Sequence, residues 1–149
     1  MTTEAVCAAV LDWAKATTSI VTGYDHIPAE STGPLPDVIV DCASLSIVET
    51  SDLFPHANIQ QAWVAVFVMD ISVMVDNTAP ETAAQALRTY ADSLRASLLA
   101  NGTLGGRVPM VSKRIEFDFT LPFVVRNDGV RGREMTMRMT VAELVEEEG

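Results

Sequence analysis

The chain has 149 residues, 48% of them hydrophobic and 20% charged, and carries a net charge of −10. That length suits one domain with a core of its own, and the balance excludes disordered and fibrous classes. An acidic chain is not expected to hold free nucleic acid, because phosphate binding needs basic surface. A run of about 18 apolar residues, the minimum for a helix that crosses a bilayer, is absent.

Residues 3–18 are expected to form a helix. Val6, Val10, Trp13 and Thr17 share one face, with Cys7, Leu11 and Ala14 beside it. The opening stretch has no basic start and is broken by Glu4, Asp12 and Lys15, so it is read as part of the fold and not as a signal peptide. Residues 22–37 hold three prolines and two glycines and are read as a long loop. "VIVDCASLSIV", 38–48, reads as a strand whose alternation falters near Ala43 and Ser44, which allows a bulge. A second long loop is expected at 49–61. "AWVAVFVMDISVMV", 62–75, is β-branched and aromatic, with Asp70 and Ser72 on one parity, and reads as a strand long enough to reach beyond its own sheet.

The second helix is expected to start at a capping box, Thr78-Ala79-Pro80-Glu81, with Thr78 as N-cap. Ala83, Ala84, Leu87, Tyr90, Ala91, Leu94 and Leu98 form its apolar stripe. Arg88 and Asp92 lie one turn apart on the wet face. Asn101-Gly102 is expected to end it, with Gly102 as the left-handed residue. A hairpin closes the chain. Ile115, Phe117, Phe119, Leu121 and Phe123 alternate on one strand, and Met135, Met137, Met139 and Val141 on the other, with Asn127-Asp128-Gly129 as the turn. Pro122 suggests an edge or a bulge. The acidic end, about 143–149, is expected to fray. The order is α-β-β-α-β-β. It implies an α+β fold, a mostly antiparallel sheet with two helices packed on one face.

Chemistry is sparse. "TLGG", with Gly105 and Gly106 ahead of Arg107, invites comparison with a phosphate loop. Such loops place glycines before a helix, where the dipole end is positive; here they follow one, at the negative end. His26 and His56 stand alone, without the close pairing a zinc site needs. Cys7 and Cys42 sit among apolar neighbours and read as small buried thiols of a chain made in a reducing compartment. Asn101-Gly102-Thr103 matches a glycosylation acceptor by chance. Asp41 and Asp70 form a candidate carboxylate pair, more commonly an exposed strand face or a buried hydrogen bond. The row Met135, Met137, Met139 reads as core. No catalytic residue, cofactor site or metal site is expected, and the protein is not read as an enzyme.

Charge is divided along the chain. Residues 1–80 hold ten acids against one base, Lys15, whereas 107–138 hold seven bases against four acids. Complementary patches of this kind steer association between copies.

The block 76–149 resembles the tail terminator (tail completion) family of long-tailed bacteriophages. The residues that carry the resemblance are "LRTYADSLRASLLANGTLGGRV", "RIEFDFTLPFVV" and "GVRGREMTMRMTVAEL". The resemblance implies a structural virion protein assembled in the host cytoplasm. Six copies are expected in a ring at the head-proximal end of the tail tube, stopping tube growth and offering a surface to the head-completion (stopper) protein. Its partners would be further copies of itself, the tail tube protein and that head-completion protein. DNA would pass the lumen without specific binding, sliding freely if the acidic excess lines it, and no membrane is involved. The candidate interface residues are Gly105, Gly106, Arg107, Arg126, Arg131 and Arg133, with Arg107 reaching an acidic neighbour. Gly106→Val is expected to spare the monomer and weaken the ring. Another neck or tail ring protein, a stopper or connector, is the alternative, and behind it a small ligand-binding or enzymatic α+β domain.

Overall fold

The computed structural model describes residues 1–28, 34–49, 63–111, 115–119, 124–125 and 131–145. Helix α1 covers Thr3–Thr18, β1 Thr22–Tyr24, β2 Asp37–Glu49, β3 Trp63–Asp76 and α2 Pro80–Ala100. Strands β4 (Met110–Val111), β5 (Glu116–Phe119), β6 (Val124–Val125) and β7 (Arg131–Val145) complete the chain. The α+β class and the two helices on one sheet face agree with the sequence reading.

The sheet runs β1-β2-β3-β7-β4, with β5 and β6 also pairing β7. The two long central strands, β3 and β7, pair antiparallel from Trp63↔Val145 to Asp76↔Gly132. β2 lies antiparallel on the other side of β3 and carries the anticipated bulge, between Cys42 and Ser44. The sheet is mixed, because β1, inside the stretch expected to be loop, runs parallel to the start of β2.

Period two decides what the sheet buries. Phe67, Met69, Ile71, Val73 and Val75 of β3 share a face with Val38 and Val40 of β2 and with Met135, Met137, Met139 and Val141 of β7. These join Val6, Val10, Trp13 and Ala14 of α1 and Ala83, Leu87, Ala91, Leu94 and Leu98 of α2 in one core. The three methionines are fully buried there, as their strand spacing predicts. Trp13 Nε1 donates to Ser97 Oγ at 2.9 Å and ties the helices together.

Several local expectations are corrected. The capping box of α2 does not form. Ala79 is the N-cap and makes no side-chain bond, while the Thr78 N–H and hydroxyl both donate to Asp76 Oδ1. The Asp76 carboxylate accepts both Thr78 donors in a turn at the end of β3, which leaves Ala79 at the cap position. Asp92 pairs with Arg95 at 3.5 Å, not with Arg88. Gly102 is not left-handed; the positive backbone angles fall at Leu104, Gly105 and Gly106. The chain does not fray at 143, since Glu143, Leu144 and Val145 extend β7 against Ala65, Val64 and Trp63. The predicted strand before the hairpin is divided into β5 and β6, and its turn at 127–129 lies outside the described residues, as does Pro122.

Candidate assembly surfaces

The turn after α2 is organised around its own polar groups. Asn101 Oδ1 accepts from the Thr103 N–H at 3.0 Å and from its hydroxyl at 2.7 Å, and Thr103 Oγ1 accepts from the Gly106 N–H at 3.1 Å. Leu104 donates to Asn101 O, Val108 to Thr103 O and Val111 to Gly102 O. N–H groups committed in this way are not available to cradle a phosphate. Leu104 is 0% exposed and holds φ 54°, followed by Gly105 at 73° and Gly106 at 83°. The two glycines are therefore required by the backbone: three left-handed residues in succession swing the chain back while Leu104 is plugged into the core.

That geometry revises two expectations. Arg107 Nη1 donates to Leu104 O at 2.8 Å, closing the turn it follows. A Cβ on Gly105 would meet that nitrogen at 2.8 Å. Gly106 has open space around it, yet a β-branched residue at φ 83° is a backbone outlier. Valine there would thus strain the monomer as well as any interface.

The candidate interface residues do not converge. Arg133 sits at the other end of β7, opposite Val75, and with Ala84, Leu87, Arg88 and Phe119 lines a recess of about 200 Å³. Arg131 begins β7, opposite Val125, and Arg126 lies outside the described residues. The 102–107 turn is tied through Val111 to the Val141 level of β7. Eight residues of strand separate that level from Arg133, roughly 26 Å.

The sheet has a second feature. Past the bulge, β2, β3 and β7 continue together as an overhang, from the Ser44↔Val68↔Thr140 level to Glu49, Trp63 and Val145, with β4 beside β7 at Val141 and Ala142. Its helix-side face carries Leu45 and Ile47, 49% and 54% exposed, together with Trp63 and Val145, also exposed. Leu45, Ile47, Phe67, Glu143 and Val145 line one side of an open trough of about 780 Å³, with Met1 opposite. The Met1 ammonium pairs there with Glu143 Oε1. The long strand at 62–75 signalled this reach; the contributions of β2 and β7 did not stand out, because "SLSIV" and "AELVEEEG" read as a faltering strand and a frayed end.

β2 is also an edge. Among the described residues its outer side meets a strand only where Asp37–Ile39 pair with Thr22–Tyr24. From Val40 to Val48 every second residue turns its N–H and C=O away from β3, and no lysine or proline interrupts that row.

The sheet face opposite the helices carries a charged row among apolar residues such as Val66, Val68 and Met74. Asp41, Asp70, Arg138 and Glu116 stand in one cross-strand row. Arg138 binds Asp70 with both prongs, Nε to Oδ1 at 2.7 Å and Nη2 to Oδ2 at 2.9 Å. The candidate carboxylate pair is thus an ion-paired strand row. His26 is exposed and bonded to Asp25 at 2.9 Å; His56 lies outside the described residues. Among the described residues no group of three or more His, Cys, Asp or Glu is placed to hold a metal, and no helix is long and apolar enough to cross a membrane.

Cys7 and Cys42, far apart in sequence, come together. Cys7, 8% exposed, faces the core from α1, and half-buried Cys42 packs against the same cluster from β2. The Cys42 thiol donates to Ser44 O at 3.3 Å across the bulge. Burial pushes both thiols above the ordinary value; for Cys7 the neighbouring Cys42 raises it further, and the Cys42 backbone N–H acts the other way.

No family model matches the chain, and no curated protein does. Among solved structures, the chain is similar to one from the virion of a native gene transfer agent particle. The two share 22% identity over 87% of this chain and 84% of the other, with a TM-score of 0.33.

Proposed function

We propose that the protein is a structural ring component of a virion, of the tail terminator kind, in which six copies cap the head-proximal end of a tail tube and present a surface for head attachment. The observation that carries this reading is the β2 edge, which among the described residues is unpaired beyond Ile39 and runs into an exposed apolar face. Edges of this length are normally covered or blunted, because they pair with another chain. Charge supports the same reading. The acid-rich first 80 residues supply α1 and β1 to β3, whereas seven bases fall within 107–138, the span that supplies β4 to β6 and most of β7. A contact joining unlike sides of successive copies is heterologous, and it closes into a ring when the rotation allows. Gly105, Gly106, Arg107, Arg126, Arg131 and Arg133 are assigned to the basic side of that contact.

The test is electron microscopy of purified protein mixed with tail tubes. Rings seated at one tube end, and overlong tubes when the gene is deleted, are expected. Tubes of normal length detached from heads would instead place the protein with the stoppers. Protein that leaves both tubes and heads unaltered overturns the reading.

A further inference from the structure

We propose that Cys7 and Cys42 form an oxidisable dithiol that closes to an intramolecular disulfide and staples α1 to the edge strand β2. This inference is independent of the ring. The two residues lie on elements that pack directly against each other, and both side chains enter the same core cluster. Cys42 lies on the helix side of β2, opposite Met69, and its thiol, now donating to Ser44 O, must leave that acceptor to meet Cys7. The bulge after Cys42 supplies the freedom to adjust there, since no ladder continues undisturbed through it. Cys42, at the open edge and half-buried, provides the entry for an oxidant; Cys7, nearly enclosed, is the resolving thiol.

The oxidant is a peroxide. The Cys42 thiolate attacks one peroxide oxygen, the O–O bond breaks, and hydroxide leaves with a proton to become water. The Cys7 thiol then loses its proton and attacks the Cys42 sulfur, expelling the second oxygen as water. Two thiols and one hydrogen peroxide become one disulfide and two waters. Because both thiols are held protonated by burial, closure is slow at neutral pH and quickens as pH rises through and beyond the ordinary thiol range. Among the described residues, the charged groups that bear on the two sulfurs are Asp25, Asp41 and Asp70, all acidic. They disfavour anionic disulfides such as oxidised glutathione relative to neutral peroxide.

The experiment is intact-mass analysis of the full chain after treatment with hydrogen peroxide under native conditions, followed by non-reducing peptide mapping. The expected result is a loss of two hydrogens per chain, a cross-linked peptide pair holding Cys7 and Cys42, and full reversal by a thiol reductant. The oxidised form should melt higher than the reduced form by on the order of 10 °C, given the loop of three dozen residues that the bond closes. Cys7→Ser should abolish the loss of two hydrogens and leave Cys42 as a sulfenic acid, one oxygen heavier. Covalent dimers through Cys42, stepwise oxygen addition without cross-linking in the unmutated protein, or an unchanged mass at alkaline pH each overturn the proposal.

Discussion

Replacing Leu45 and Ile47 together by threonine tests whether the overhang is an interface. Both side chains lie on a strand, and threonine keeps the β-branched shape a strand accepts. Each retains about half of its surface in the monomer, at 49% and 54%. Complete burial of such a side chain stabilises by about 1.5–3 kcal/mol, so covering the remaining half contributes about 1 kcal/mol per residue. The double substitution should therefore weaken each copy-to-copy contact by about 2 kcal/mol, roughly 30-fold in its association constant. Monomer stability should fall by about 1–2 kcal/mol, from the half of each side chain already covered in the monomer. Sedimentation velocity over a concentration series, alongside competition with unmutated protein for tube ends, reads the first quantity, and thermal unfolding reads the second. Unaltered assembly in a normally folded variant would refute the argument, because the exposed apolar face would then be idle. A large loss of monomer stability would refute it differently, by showing that the overhang is packed within the chain.

Gly106→Val, at φ 83°, should destabilise the monomer by about 1–2 kcal/mol, visible in urea unfolding; a neutral result would mean the turn is not left-handed there. Met137→Ala, in the fully buried methionine row, should cost about 2–5 kcal/mol, and a cost below 1 kcal/mol measured by the same method would remove that row from the core. Trp13→Phe forfeits the bond to Ser97 and should cost about 1 kcal/mol, abolished when Ser97 is already alanine. The Asp76 carboxyl is held below its ordinary value by the Thr78 hydroxyl and N–H. Its contribution is therefore present above the usual aspartate range and is lost as pH falls through the depressed value. Amide exchange at the start of α2 should quicken over that acidic interval, and Asp76→Asn should remove the pH dependence.

Much of the fold was legible because it rests on local periodicity. The 3.6-residue stripes of α1 and α2 and the two-residue alternation at Met135, Met137 and Met139 specify which face each element buries, whatever their partners. Cap and turn chemistry was less legible, since it depends on competition between nearby groups. Thr78 bonds back to the Asp76 carboxylate, and the helix begins one residue later, capped by Ala79. Gly102 and Gly105 were equivalent in composition, and only the burial of Leu104 decided where the chain turns left-handed. The proposed interface behaved similarly. Arginine content pointed to Arg107 and Arg133 together, but the turn holding Arg107 is tied to the Val141 level of β7, at the far end of that strand from Arg133.

By itself the sequence determined the α+β class, the core faces, the divided charge and the long reach of β3, all properties of residue order within a window. Only the tertiary structure decided that β7 runs between β3 and the short strands to complete an overhang, that β2 keeps an unpaired outer side among the described residues, and that Cys7 and Cys42 enter one core cluster. Strand order and helix docking join residues dozens of positions apart, and the free energy that selects them is burial shared among all the elements, which no single stretch of chain encodes.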